Sequence, residues 1–306
     1  MNGNDATMPN GTLVPVDAAL TRVATGATWS EGPVWLPDLA LLRWSDIPGD
    51  RILELDPATG RSRVHRTGVE FTNGRTLDRD GSVIQCSHGR RAVEREFDGA
   101  VSVLVDRWEG GRFNSPNDVV VASDGAIWFT DPPYGILQPD EGHPGEREYG
   151  ASYVFRFDRV TGDVRPVVLD VEEPNGLAFS PDERLLYVSD TSAAMRTDGS
   201  GNHHITVRDV RLAGTCSDGR IFAVIEDGLS DGFRVDESGR LWTSAGAAVQ
   251  VYAPTGELLL TVPVPERVGN LCFGGPDGTD LFIAASTSIY HLSTLTRDAV
   301  AVRSAA

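Results

Sequence analysis

Six stretches of the chain begin with an oxygen-bearing side chain, or in one case a glycine, followed by the same pattern of apolar residues and turns. The leading residues are Glu31, Asn73, Asn117, Asn175, Asp231 and Gly269. Two carboxylates and three amides, with no histidine or cysteine among them, form a donor set suited to a hard cation. Glu31 and Asp231 together offset a divalent charge, and the amides add dipoles without overcharging a partly buried pocket. Ca²⁺ tolerates irregular oxygen sets best, with Mg²⁺, Mn²⁺ or Zn²⁺ as alternatives. Asn-Gly and Asp-Gly also form turns, which explains any one stretch alone. A polar oxygen at five of six matched positions points to a shared location.

The elements around these residues recur with them. The stretches are EGPVWLPDLALLRWSD from Glu31, NGRTLDRDGSVIQCS from Asn73, NDVVVASDGAIWFTD from Asn117, NGLAFSPDERLLYVSD from Asn175, DGFRVDESGRLWTSA from Asp231 and GNLCFGGPDGTDLFIAA from Gly269. Their starts are separated by 42, 44, 58, 56 and 38 residues, and their fifth residues are Trp35, Leu77, Val121, Phe179, Val235 and Phe273. Each reads as a hairpin, and a second strand-rich half follows it, with turns marked by Asp, Gly and Pro. A period near forty residues holding four strands is the pattern of a β-propeller blade. The expected fold is therefore all-β, a six-bladed β-propeller in which the leading residues ring the central channel and form a metal site.

The last repeat is one strand short, and AALTRVATG at 18–26 is expected to supply that strand and close the ring. The two long intervals carry LQPDEGHPGEREYG (137–150) and SAAMRTDGSGNHH (192–204), polar insertions expected to form a rim on one face. No break in composition divides the chain, so residues 1–306 are expected to form one domain, with 1–17 as a frayed N-terminal arm. Trp35, Trp44, Trp128 and Trp242 are expected at corresponding positions as core wedges.

A formal charge of −17 argues against nucleic acid and against an anionic membrane surface as partners. No run of about twenty uncharged apolar residues occurs, and the N-terminus lacks a basic segment followed by an apolar one, which fits a cytoplasmic protein. Cys86, Cys216 and Cys272 are widely spaced and are expected to pack as small apolar residues. Oligomeric state is not legible.

EGPVW at 31–35, NSPNDVVVASDGAIWFTDPPYG at 114–135, EPNGLAFSPDERLLYVSDT at 173–191 and SDGFRVDESGRLWTSA at 230–245 resemble the SMP-30/gluconolactonase-like family. TNGRTLDRDG at 72–81 with CSHGRR at 86–91 is most similar to its bacterial gluconolactonase branch. The resemblance implies a central divalent metal held by Glu31, Asn175 and Asp231, with Asn117 as a fourth ligand or as a group acting on bound water and substrate. It further implies hydrolysis of a sugar lactone such as D-glucono-1,5-lactone, with Asp231 as base. Some relatives carry an arginine two residues before the position of Asn117; here that residue is Ser115, and Arg112 lies farther upstream.

Asn73, Asn114 and Asn117 are candidates for binding sugar hydroxyls, alongside Arg112, His88 and Tyr134. His88 is either a polar group facing the pocket or a turn histidine, and Tyr134 either lines the pocket or packs between blades. Asp131 is expected to cap the turn that launches the first insertion. No G-x-S-x-G elbow or coherent Ser/His/Asp arrangement supports a hydrolase triad. Two other functions remain open: a metal-dependent hydrolase of phosphotriesters on the same scaffold, and a non-catalytic propeller that binds a protein or peptide.

Overall fold

A computed structural model describes residues 13–212 and 214–300. Short β-branched and aromatic runs broken every few residues by Asp-Gly or Pro-Asp leave room for strands and tight turns and little else. Helical elements are short: the turn Tyr134–Leu137 leads into the first insertion and the 3₁₀ segment Ser192–Met195 opens the second. None of the described helices is long and apolar enough to cross a membrane.

Six antiparallel sheets form the blades of a β-propeller. Their innermost strands are Ser30–Leu36, Thr72–Leu77, Val119–Val121, Pro174–Phe179, Phe233–Val235 and Val268–Gly274, and each touches the next around a closed ring. The sixth blade is completed from the other end of the chain: Thr21–Thr25 pairs with Ser288–Ser293, with Thr21 opposite His291 and Thr25 opposite Ser288. The strand expected within 18–26 is thus found. Residues 1–12 of the expected frayed arm lie outside the described residues, but Leu13 and Val14 are buried in the apolar cluster between blades 5 and 6. Two apolar side chains at the start of the closing segment gain more by burial than a polar arm would, which corrects the expectation for those positions.

Trp44, Trp128 and Trp242 stand on second strands and are buried between blades, Trp128 edge-on to Phe179 and Trp242 edge-on to Phe273 of the next blade. Trp35 does not share that position. It lies on an inner strand, where it stacks on Phe282 with centroids 5.7 Å apart. Cys86 and Cys272 are buried thiols, and Cys216 is partly buried.

Blades 1 and 2 are joined by a buried ion cluster. Glu54 accepts from Arg43 and Arg63, and Glu96 faces Arg43, His65 and Arg66. Burial alone would raise the Glu96 pKa, but the His65 hydrogen bond and the charges of Arg43 and Arg66 overcome it and hold it at about 2. Because that pKa is depressed, its contribution is present above the ordinary carboxylate value and is lost as pH falls toward 2. Glu96→Gln should therefore cost about 2–4 kcal/mol at neutral pH, as expected for one partner lost from a buried ion cluster. Urea unfolding should show the gap to wild type closing below about pH 4.5; a gap independent of pH would assign the loss to packing.

Candidate metal centre

Five of the six leading residues, Glu31, Asn73, Asn117, Asn175 and Asp231, sit at one mouth of the channel, and the glycine that follows three of them permits close approach between blades. Gly74, Gly176 and Gly232 donate their N–H groups to the carbonyl oxygens of Asn117, Asp231 and Gly269 at 2.8, 2.9 and 2.8 Å. A Cβ on Gly74 or Gly176 would fall 2.5 or 2.3 Å from those oxygens. The Asn-Gly and Asp-Gly pairs therefore serve as interblade seams here, and no turn is made at them.

The loops that deliver these residues are fixed by an aspartate ending the second strand of three blades. Asp46 accepts the N–H groups of Thr28 and Trp29, Asp131 those of Asn114 and Ser115, and Asp190 those of Glu172 and Glu173. The recurring SD, TD and SD at 45–46, 130–131 and 189–190 is the sequence signal for this device, whose role was not recognised. Asp131 thus secures the approach to Asn117 and does not cap the turn launching the insertion.

Glu31, Asn73, Asn117, Asn175, Asp231 and Tyr134 line a common cavity of about 570 Å³. Gln138 and Glu141 of the first insertion and Ala193 and Ala194 of the second border it, so both insertions form its rim, as expected. A larger cavity, about 710 Å³, opens at the opposite end of the channel, where the fifth residues of all six repeats lie. That cavity is lined by the apolar fifth residues together with carboxylates and arginines, whereas the leading carboxylates and amides of five repeats meet in the smaller one, which marks the smaller cavity as the candidate site.

Glu31 carries the clearest mark of a missing partner. Its Oε2 accepts from the Gly32 N–H at 2.7 Å and from Asn270 Nδ2 at 3.1 Å, while Oε1 is buried with no hydrogen-bond partner. Gly269 leaves room for that oxygen, since a Cβ there would lie 2.3 Å from it. Desolvation and then the charge of Asp231 push the Glu31 pKa well above the carboxylate range. Desolvation, followed by Glu141 and Asp118, pushes Asp231 up to about 7. Two carboxylates that oppose each other's ionisation, one with an orphaned oxygen, are relieved by a shared cation. Among the described residues no three His, Cys, Asp or Glu side chains cluster as a metal site. The set here is completed by amides, so the residues present fit a hard cation.

Several expected contacts are placed elsewhere. Asn114 is buried behind the site, its Nδ2 donating to the carbonyls of Asp131 and Ala151 at 3.0 and 2.9 Å. Its amide is used to hold the loop. Arg112 donates to the Arg90 carbonyl beside the Glu148 loop and does not reach the cavity. His88 is fully buried behind Asn73 and Asn117 and does not line the cavity either. Tyr134 does line it, its hydroxyl bonded to Thr191 Oγ1, which also receives Asn175 Nδ2 at 3.2 Å. Thr191, Gln138, Glu141 and Arg267 border the cavity without having been singled out. Thr191 follows the recurring strand-end aspartate, which would have marked it; the others sit in aperiodic loops.

Residues 29–287 match the SMP-30/Gluconolactonase/LRE-like region. The chain is 32% identical to a gluconolactonase of Zymomonas mobilis, over 93% of this chain and 83% of that protein. It is 31% identical to a pentonolactonase of Haloferax volcanii, over 87% and 85%. The solved structure of a gluconolactonase from Xanthomonas campestris superimposes with a TM-score of 0.84 at 39% identity, covering 94% of this chain and 98% of that one. This six-bladed propeller belongs to the SMP-30/gluconolactonase/LRE-like family.

Proposed function

We propose that this lactone hydrolase opens a sugar lactone of the D-glucono-1,5-lactone kind to its aldonic acid, with a divalent cation held by Glu31, Asn117, Asn175 and Asp231. The observation that carries the reading is the buried, orphaned oxygen of Glu31, a residue that lines a cavity shared with Asp231 and three amides. Ca²⁺ is the preferred ion, and when bound it supplies a Lewis acid toward the lactone carbonyl oxygen. Asp231 orients a water toward the carbonyl carbon and receives its proton on a carboxylate oxygen. Asn73, Gln138 and Tyr134 offer amide and hydroxyl groups to the sugar hydroxyls, and the cavity of about 570 Å³ suits a single sugar ring.

A pH-indicator assay over a lactone panel with added Ca²⁺, and a phosphotriester alongside, tests this. Sugar lactones should exceed δ-valerolactone in kcat/KM by about tenfold or more, because a site built for hydroxyls discriminates against analogues lacking them. No turnover of any lactone, or preference for the phosphotriester, would overturn the reading.

A further inference from the structure

His88 lies between the ring and the rim, fully buried. Its Nδ1 is 3.0 Å from the backbone oxygen of Glu141, an atom that can only accept, so Nδ1 carries a hydrogen. A second hydrogen on Nε2 would make a buried cation beside a pocket shaped for a divalent one, with the nearest carboxylate oxygen, Glu141 Oε2, 3.9 Å from Nδ1. Nε2 is thus a bare acceptor. It lies 3.2 Å from Asn73 Nδ2 and 3.5 Å from Asn117 Nδ2. Were either amide turned over, its oxygen would oppose that lone pair and its N–H₂ would face the cavity. The ring itself is seated against Gly135, where a Cβ would come within 2.6 Å of His88 Cβ.

We propose that His88 is a positioning residue: its Nδ1–H tautomer, set by the rim insertion, turns the carbonyl oxygens of Asn73 and Asn117 toward cation and substrate. This rests on the metal reading above for its purpose, but its geometry is testable apart from it. In ¹⁵N-histidine spectra of the wild-type protein, His88 should be protonated on Nδ1 and bare on Nε2. Protonation on Nε2 would overturn the proposal whether or not metal binds.

Two variants separate orientation from packing. His88→Asn keeps a donor at the δ position and has no acceptor at ε, whereas His88→Gln places an oxygen near Nε2. Calorimetric titration with Ca²⁺ should show affinity reduced about 10–100-fold in His88→Asn, the usual effect of losing a group that orients a ligand. His88→Gln should retain affinity within roughly threefold of wild type, on the same scale. Equal losses in both would reduce His88 to a space filler. A wild-type protein that binds neither Ca²⁺ nor Mn²⁺ would instead overturn the metal reading, and the tautomer would still decide the assignment of His88.

Discussion

Asp231→Asn should lower turnover of the preferred lactone by about 10²–10⁴-fold at saturating cation, the range associated with loss of a positioned base. The fold should survive, because the amide is isosteric and the Asp231 N–H bond to Ser244 Oγ, at 2.8 Å, belongs to the backbone. The cation-free protein should gain stability. Desolvation and neighbouring acids raise the Asp231 pKa from 3.8 to about 7, so the native state holds a proton that the unfolded chain has released. Its stability contribution therefore falls as pH rises across that window, and Asp231→Asn should be relatively most stable above about pH 7. Urea midpoints at several pH values, beside steady-state rates, check both halves. Near wild-type turnover at saturating cation would remove Asp231 from the chemistry.

Complete removal of divalent ions should abolish lactone hydrolysis and lower the thermal midpoint together. A ligand present at 100 times its Kd stabilises the native state by about 2.7 kcal/mol. For a chain of 306 residues that amounts to roughly 4 °C. Scanning calorimetry with chelator and after Ca²⁺ is restored, with metal content measured directly, gives the answer. Activity persisting in metal-free protein would sink the mechanism, and a loss of activity without any thermal shift would place the ion outside the ring.

The register of the repeats was legible because it has a spatial counterpart at both ends of the channel. Five of the six leading residues line one mouth, and all six fifth residues, from Trp35 to Phe273, line the other. Strands of fixed rise convert sequence position into depth along the channel. Distinctions among neighbouring polar residues did not follow from the pattern. Asn114 and Asn117 stand three positions apart with the same side chain, yet one caps a loop and the other faces the cavity, a difference decided by the Asp131 anchor. The sequence left His88 open between a pocket group and a turn histidine, and its place behind Asn73 and Asn117 depends on Glu141, 53 residues away in a loop with no period. Arg267, also in a loop between blades, had no repeated counterpart to mark it.

The pairing of Thr21–Thr25 with Ser288–Ser293 bears on how the molecule is made. During synthesis the first of these strands leaves the ribosome well before its partner exists, and five blades can assemble while the last still shows an open edge. Such an edge is a template for pairing with another chain. The final clasp, joining residues more than 260 positions apart in sequence, is accordingly the step most exposed to intermolecular exchange and the slowest contact to find.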